Sequence, residues 1–275
     1  MAKTKVLITV KTYPTLSAKY DELVCTAGFK EDGSFIRIYP IAFRKKDYAQ
    51  QYKKYEWIEI DLEKNNSDFR PESYRPHAHE TEIKIGKFID TTNYWEERKK
   101  IVLQNVRTNL TQIIQEAHNQ NICTSLVVFK PTKILDFQIE IESREWDKDT
   151  LEKIEAERQQ LNLFKQPEDH FKVVKKLPYK FSYVFEDDLG KKSTLMIEDW
   201  EIGQLYWNCL KKHNDEEIAC QKVQEKYFDD FAKTKDLHFF LGTTKKNHYV
   251  SRNPFIIIGT FHPTIDQSGQ ISLFK

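Results

Sequence analysis

Two stretches of the sequence carry residue types suited to recognising phosphates and bases. Arg70-Pro71-Glu72-Ser73-Tyr74-Arg75-Pro76 sets two guanidinium groups and a phenol ring on a proline-stiffened loop. A guanidinium fork matches phosphate oxygens, and a tyrosine ring stacks on an unpaired base. Upstream, Arg37 and Tyr39 share one face of an alternating segment, and Arg44, Lys45 and Lys46 follow. Downstream, Leu241-Gly242-Thr243-Thr244-Lys245-Lys246-Asn247-His248 brings a glycine, two hydroxyls and two ammonium groups after an apolar run, with Arg252 beyond. A turn of that composition can cradle phosphate, although it lacks the spacing of the known phosphate loops. Basic residues interleaved with aromatics are what a single strand or a flipped base requires. The expected nucleic-acid-binding residues are therefore Arg37, Tyr39, Arg44, Arg70, Tyr74, Arg75, Lys245, Lys246 and Arg252. The competing reading has Glu72 pairing with one arginine while Tyr74 packs inward.

Other chemistry finds less support. Glu59 and Asp61 share a strand face, as do Glu140 and Glu142, but Lys64 falls three residues after Asp61 rather than the two of the common nuclease strand pattern. These acids read as solvated strand faces. His77-Ala78-His79-Glu80 puts two imidazoles on one face of an extended segment, with no third ligand nearby, so no metal and no cofactor are expected. Cys25, Cys123, Cys209 and Cys220 form no CxxC pair and read as packing residues. Nothing local supports a cysteine–histidine nucleophile pair. The sequence has no GxGxxG, GxxxxGK[ST], GxSxG or HExxH motif.

Elements must hold these residues in place, and the pattern suggests which. Val6–Val10 is an apolar strand. Leu23–Phe29 and Phe35–Tyr39 flank Asp32-Gly33, a hairpin signal. In the second of these, Ile36 and Ile38 face a core and Phe35, Arg37 and Tyr39 face the other way. Trp57–Leu62 alternates in the same way, with Ile58, Ile60 and Leu62 inward. Residues 64–80 read as a loop, and Ile83–Ile89 as a short strand. An apolar stripe through Ile101, Val102, Val106, Leu110, Ile113 and Ile114 predicts one helix from Glu96 to about His118. Leu126–Phe129 and Ile134–Ile141 return to strand, and a charged helix runs to about Leu161. The second half predicts a hairpin around Asp187–Gly190. Helices follow over Glu198–Leu210 and Asp215–Phe231, and buried strands over Leu237–Leu241 and Phe255–Phe261. Trp200, Tyr206 and Trp207 fall at helical spacing and read as core. The fold class is α+β, with a β-rich part at residues 1–145, an α+β part at 146–262 and a short flexible tail at 263–275.

Composition bounds the partners. The chain has 275 residues, 43 Lys and Arg, 42 Asp and Glu, and a formal charge of +1. Aromatic residues make up 13%, enough to build a core that a disordered chain would lack. No run approaches the roughly 20 apolar residues of a membrane span. The N-terminus reads as a strand rather than a signal peptide, which with four scattered thiols suggests a cytoplasmic protein. Charge is uneven: residues 1–54 hold 11 Lys and Arg against 5 Asp and Glu, an excess of 6. Lys165–Lys180 and Lys233–Arg252 are also basic, so a neutral chain can still carry a basic face.

The last six residues are Gln270-Ile271-Ser272-Leu273-Phe274-Lys275. Gln270, Ile271, Ser272, Leu273 and Phe274 resemble the pentapeptide by which many bacterial replication and repair proteins bind the sliding clamp, with Ile271 a conservative variant. In such a peptide Leu273 and Phe274 would fill an apolar pocket, contributing roughly 1.5–3 kcal/mol each when fully buried, and Gln270 would offer an amide at its rim. The segments Ile36–Pro40, Ile197–Trp207 and Asn253–Phe261 are similar to a family of uncharacterised bacterial proteins, a resemblance that carries no activity. The basic, aromatic-bearing segments suggest a body that binds nucleic acid, and the resemblance of the tail, which covers five residues only, implies a bacterial protein tethered to the DNA sliding clamp. It would act in DNA repair, replication-coupled processing or defence against foreign DNA, including phage. The alternatives are a nuclease-like enzyme acting on a nucleotide or nucleic acid, and a homodimeric scaffold that meets only proteins.

Overall fold

The computed structural model describes residues 3–17, 21–41, 43–46, 51–78, 81–162 and 174–265. In chain order the strands of the first part are β1 (Thr4–Lys11), β2 (Thr15–Ser17), β3 (Asp21–Lys30), β4 (Phe35–Ile41), β5 (Glu56–Ile60), β6 (Leu62–Lys64), β7 (Ser73–Pro76) and β8 (Ile83–Phe88). Next come α1 (Thr92–Val102), β9 (Val106–Arg107), α2 (Leu110–His118), β10 (Leu126–Phe129), β11 (Lys133–Ile141) and α3 (Lys148–Asn162). The remainder is β12 (Tyr179–Glu186), β13 (Lys192–Met196), α4 (Trp200–His213), α5 (Glu216–Gln224), β14 (His238–Thr243) and β15 (Phe255–Phe261). A π-helical stretch, Glu225–Ala232, continues α5. The protein is α+β, as its pattern predicts.

The first eight strands form one sheet in the order β6-β7-β4-β3-β1-β5-β8, with β2 on β3. Strands β15-β14-β10-β9 form a second sheet, and β11-β12-β13 a third. Both predicted hairpins form: Gly33 and Gly190 take φ of +79° and +71°, which suits a residue without Cβ. The large sheet is covered on both faces. Val6, Ile8, Ile36, Ile38, Ile58 and Ile60 pack on one side with Phe43 and Tyr52. Leu7, Val10, Ala27 and Phe29 pack on the other with Val128, Phe240, Ile258 and Phe261 of the second sheet. A third core joins α2, α4 and α5 to the smaller sheets through Ile113, Phe129, Tyr183, Tyr206, Val223 and Phe239.

Two expectations about elements change. The single helix over Glu96–His118 is two helices. Asn93, Tyr94 and Trp95 take positive φ, so right-handed helix begins near Glu96 as expected. Val106 and Arg107 then leave the helix to pair in parallel with Val128 and Phe129. Asn109 restarts it, its side chain accepting from the Gln112 N–H at 2.8 Å. A sheet edge recruits two residues that helical periodicity alone would keep in line. Inside the expected loop at 64–80, Ser73 and Tyr74 pair in parallel with Arg37 and Ile38 as β7. The C-terminal pentapeptide and the rest of the expected tail beyond Ile265 lie outside the described residues.

Candidate nucleic-acid interface

The chain just after β1 meets the start of α4. Thr12 bridges to Asp199, and the Tyr13 N–H donates to the Glu198 carbonyl at 3.1 Å. Asp199 caps α4, accepting from the Glu201 N–H at 3.3 Å. From that fixed start, Trp200, Gln204, Trp207, Lys211 and Asn214 recur along one face of α4 and line a groove of about 780 Å³. Tyr13, Phe43, Arg44, Gln51, Val174, Lys175 and Leu210 complete the lining. The two indoles stand about 10 Å apart along the helix, two full turns. An adjoining cavity of about 490 Å³ shares Lys175, Trp207 and Leu210 and adds Trp146, Arg144 and Lys176.

Hydrogen bonds fix the rings. The Trp207 indole N–H donates to the Tyr13 hydroxyl at 2.8 Å, and that hydroxyl donates to the Lys175 carbonyl at 2.7 Å. The Trp146 indole donates to the Val174 carbonyl at 2.8 Å. Gly203 allows the close approach, because a Cβ there would lie 2.3 Å from the Tyr13 ring. That is why α4 tolerates a glycine in its first turn. The Lys175 ammonium lies 5.4 Å from the centroid of the Trp207 ring. Among the described residues neither Lys175 nor Lys211 has a carboxylate partner, and both are exposed. Cations over flat rings, with an amide between two indoles, can hold a phosphodiester chain and stack its bases.

Under this groove the protein buries charge. Lys54 Nζ donates to both oxygens of Asp199 at 2.8 and 3.0 Å and to Glu201 Oε2 at 2.7 Å. Burial would lower the Lys54 pKa, but the two carboxylates outweigh it and raise it. Burial pushes Asp199 up to about 6, with Lys54 opposing and Glu201 adding. Lys11 is also buried, its ammonium donating to the Tyr52 carbonyl at 3.2 Å. It lies 4.6 Å from the Phe43 ring centroid and 5.6 Å from that of Trp200, both groove-lining rings. Burial, and secondarily the Lys54 charge, lowers its pKa to about 8. These residues were invisible as a group in the sequence, because strand, loop and helix contribute one part each.

The residues predicted from the sequence do not converge. Arg37 is only 2% exposed, because the second sheet covers its face of β4. It donates to Ser125 Oγ at 2.8 Å, to the Ser125 carbonyl at 3.1 Å and to Glu72 at 3.3 Å. Arg70 is 5% exposed and forks onto Asp68 at 2.9 and 2.6 Å while donating to the Thr243 carbonyl. Burial would raise Asp68, but Arg70 holds it down near 2. Both guanidiniums, expected on a phosphate-binding surface, are interior cations that tie the large sheet to the second one. Glu72 does pair with an arginine, and the partner is Arg37. Tyr39 is half-buried, and Arg75 is exposed but paired with Glu63 at 2.6 Å. Tyr74 lines a different cavity beside Ser125. Arg44 alone of the set lines the groove. Lys245, Lys246 and Arg252 are exposed on the connection from β14 to β15.

The expected core residues divide as well. Tyr206 is fully buried, whereas Trp200 and Trp207 are half-buried and face the groove. The signal for this lay in the polar company of the stripe: Gln204, Lys211 and Asn214 share a face with the indoles. Glu59 pairs with Lys84 at 3.1 Å and Glu140 with Lys180 at 2.7 Å, as solvated strand faces would. His77 lies 3.6 Å from Glu63, and its expected companions His79 and Glu80 lie outside the described residues.

Comparison with known families bears on the whole chain. Residues 2–104 match the model of a domain of unknown function (DUF8758), and residues 106–275 match that of a second domain of unknown function (DUF8757). The second match covers more than half of the 275 residues. The chain belongs to the DUF8757 family. A search of curated proteins matches none. The groove of this DUF8757 chain takes its helix face from the DUF8757 match and Tyr13, Phe43 and Arg44 from the DUF8758 match, so both contribute to one surface.

Proposed function

We propose that the protein binds single-stranded nucleic acid, or an unpaired stretch of a duplex, in the groove along α4. The carrying observation is the joining of Trp200, Trp207, Tyr13 and Phe43 with Arg44, Lys175 and Lys211 in one concave surface. Each stacked base would contribute about 1–3 kcal/mol, and the cations would track the phosphates. The C-terminal Gln270-Ile271-Ser272-Leu273-Phe274 would tether this body to the DNA sliding clamp. Groove and tether together suit DNA repair, replication-coupled processing or defence against foreign DNA in a bacterial cytoplasm.

Titration of intrinsic tryptophan fluorescence with a thymidine oligonucleotide tests the groove. Binding should quench the signal, and affinity should fall steeply as salt is raised. An unquenched signal at low salt would refute it. For the tether, replacing Leu273 and Phe274 together by Ala should abolish retention on immobilised clamp while the oligonucleotide titration stays unchanged. Undiminished retention would sink that half of the proposal.

A further inference from the structure

A second cluster, none of whose residues lines the groove, gathers a thiol, an imidazole and two hydroxyls. Cys123 lies in the turn after α2 with φ +51°, and its N–H donates to the Asn119 carbonyl at 2.7 Å. A non-glycine residue held there costs about 1–3 kcal/mol. Its Sγ is 3.5 Å from His248 Nε2, and the Tyr249 hydroxyl donates to it at 3.4 Å. His248 is fully buried, with Nδ1 2.7 Å from Thr243 Oγ1 and the Ala117 carbonyl also bordering the ring. Burial lowers the His248 pKa, against the Ala117 carbonyl, which raises it, and so favours the uncharged ring. Phe69 stacks on Tyr249 at 4.8 Å and meets His248 edge-on at 5.2 Å, which fixes both. Cys123 and Ser125 line a cavity of about 360 Å³ with Lys30, Glu72 and Tyr74.

We propose that Cys123 is a nucleophilic thiol served by His248 as its base, and that the cavity beside it admits a small acyl compound, an ester or thioester. Nucleophile, base and a third group orienting the base are the arrangement that activates a thiol. With the Nδ1 proton on the Thr243 side, Nε2 accepts the Sγ proton. The sulfur then bonds to the acyl carbon as the ester C–O or thioester C–S bond breaks, and the departing alcohol or thiol takes its proton from the imidazolium. Water adding to the resulting thioester releases a carboxylic acid and restores the thiol. The Tyr249 hydroxyl, donating to Sγ, holds the sulfur in place. Among the described residues no imidazole reaches Cys25, Cys209 or Cys220, and burial, with the Glu216 carboxylate, pushes the Cys220 thiol up to about 11. The volume suits a short acyl chain, and the site is independent of nucleic-acid binding in the groove.

Alkylation by iodoacetamide, in which the C–S bond replaces C–I and iodide leaves, tests the nucleophile by peptide mass spectrometry. In the full chain at pH 7, Cys123 should alkylate about tenfold faster than the half-buried Cys209. His248→Gln should remove that advantage while leaving the Cys209 rate unchanged, and p-nitrophenyl acetate should give a burst of one nitrophenolate per chain that Cys123→Ser abolishes. Should His248→Gln unfold, seen as a rise in the Cys209 rate, Thr243→Val decides, with the Cys123 rate expected to drop several-fold in a folded chain. A Cys123 that alkylates no faster than Cys209, or no more slowly in the folded variants, overturns the proposal, as does a burst retained in Cys123→Ser.

Discussion

In the Asp68–Pro76 segment a guanidinium is enclosed by its own neighbours, while on α4 two indoles stand half-exposed beside free ammonium groups. Arg70 spends its fork on Asp68 and on a carbonyl of β14. Lys175 and Lys211 have no carboxylate to spend theirs on among the described residues. The two regions hold similar residue types, yet one ties two sheets together and the other faces an open groove of about 780 Å³. Position relative to a second layer, rather than residue type, decides which cation remains available to a ligand. Arg37 and Arg70 sit beneath the second sheet, and the α4 stripe does not.

The largest effect that separates the two regions is on stability. Arg70→Ala strands the Asp68 carboxylate in the interior, and such a loss costs about 3–5 kcal/mol. Urea unfolding should show it, while oligonucleotide affinity per folded molecule stays as in the parent chain. A cost under about 1 kcal/mol would mean that Arg70 is not an interior tie. Charge reversal at Lys175 and Lys211 together should do the opposite. Exposed positions change stability by about 0.5 kcal/mol or less, whereas affinity at low salt should fall by about tenfold or more as two phosphate contacts turn repulsive. Unchanged affinity in the same titration would remove the groove from the account.

A smaller effect sharpens the comparison through pH. Lys11 sits beneath the Phe43 and Trp200 rings, with a pKa lowered to about 8 from an ordinary 10.5. Because the folded value lies below the unfolded one, charging Lys11 opposes folding. Its contribution to stability is full above about 10.5 and lost as pH falls through 8. Affinity for a phosphodiester chain should run the other way, declining as pH rises through 8 and the ammonium loses its proton. Lys11→Gln should flatten that decline between pH 7 and 9. A slope that persists in the variant would assign the titration elsewhere.

Much of the architecture follows from local pattern. Ile36 and Ile38, and Ile58 and Ile60, alternate strictly, and the sheet buries all four. Asp215 and Asp199 cap helices where the apolar stripes begin. Alternation, however, says only that Arg37 faces away from Ile36. It cannot say that a second sheet built from residues 106–261 covers that face as well. The same long-range packing hid Lys54, whose partners Asp199 and Glu201 lie some 145 residues away. It also hid Cys123 and His248, separated by 125 residues. Trp200 and Trp207 pack against the cores as their spacing predicts, yet the rest of each ring lines the groove. Indoles at helical spacing usually mark a core, and only the intervening Gln204 and following Lys211 hinted at an open face.

Photocrosslinking with an oligonucleotide carrying 5-bromouracil tests the central claim most directly, because it reports which side chains touch bases. Adducts should map to peptides containing Trp200, Trp207 or Trp146. Adducts confined to Tyr74 and its neighbours, or to the Lys245–Arg252 connection, would place the bases elsewhere and contradict the groove.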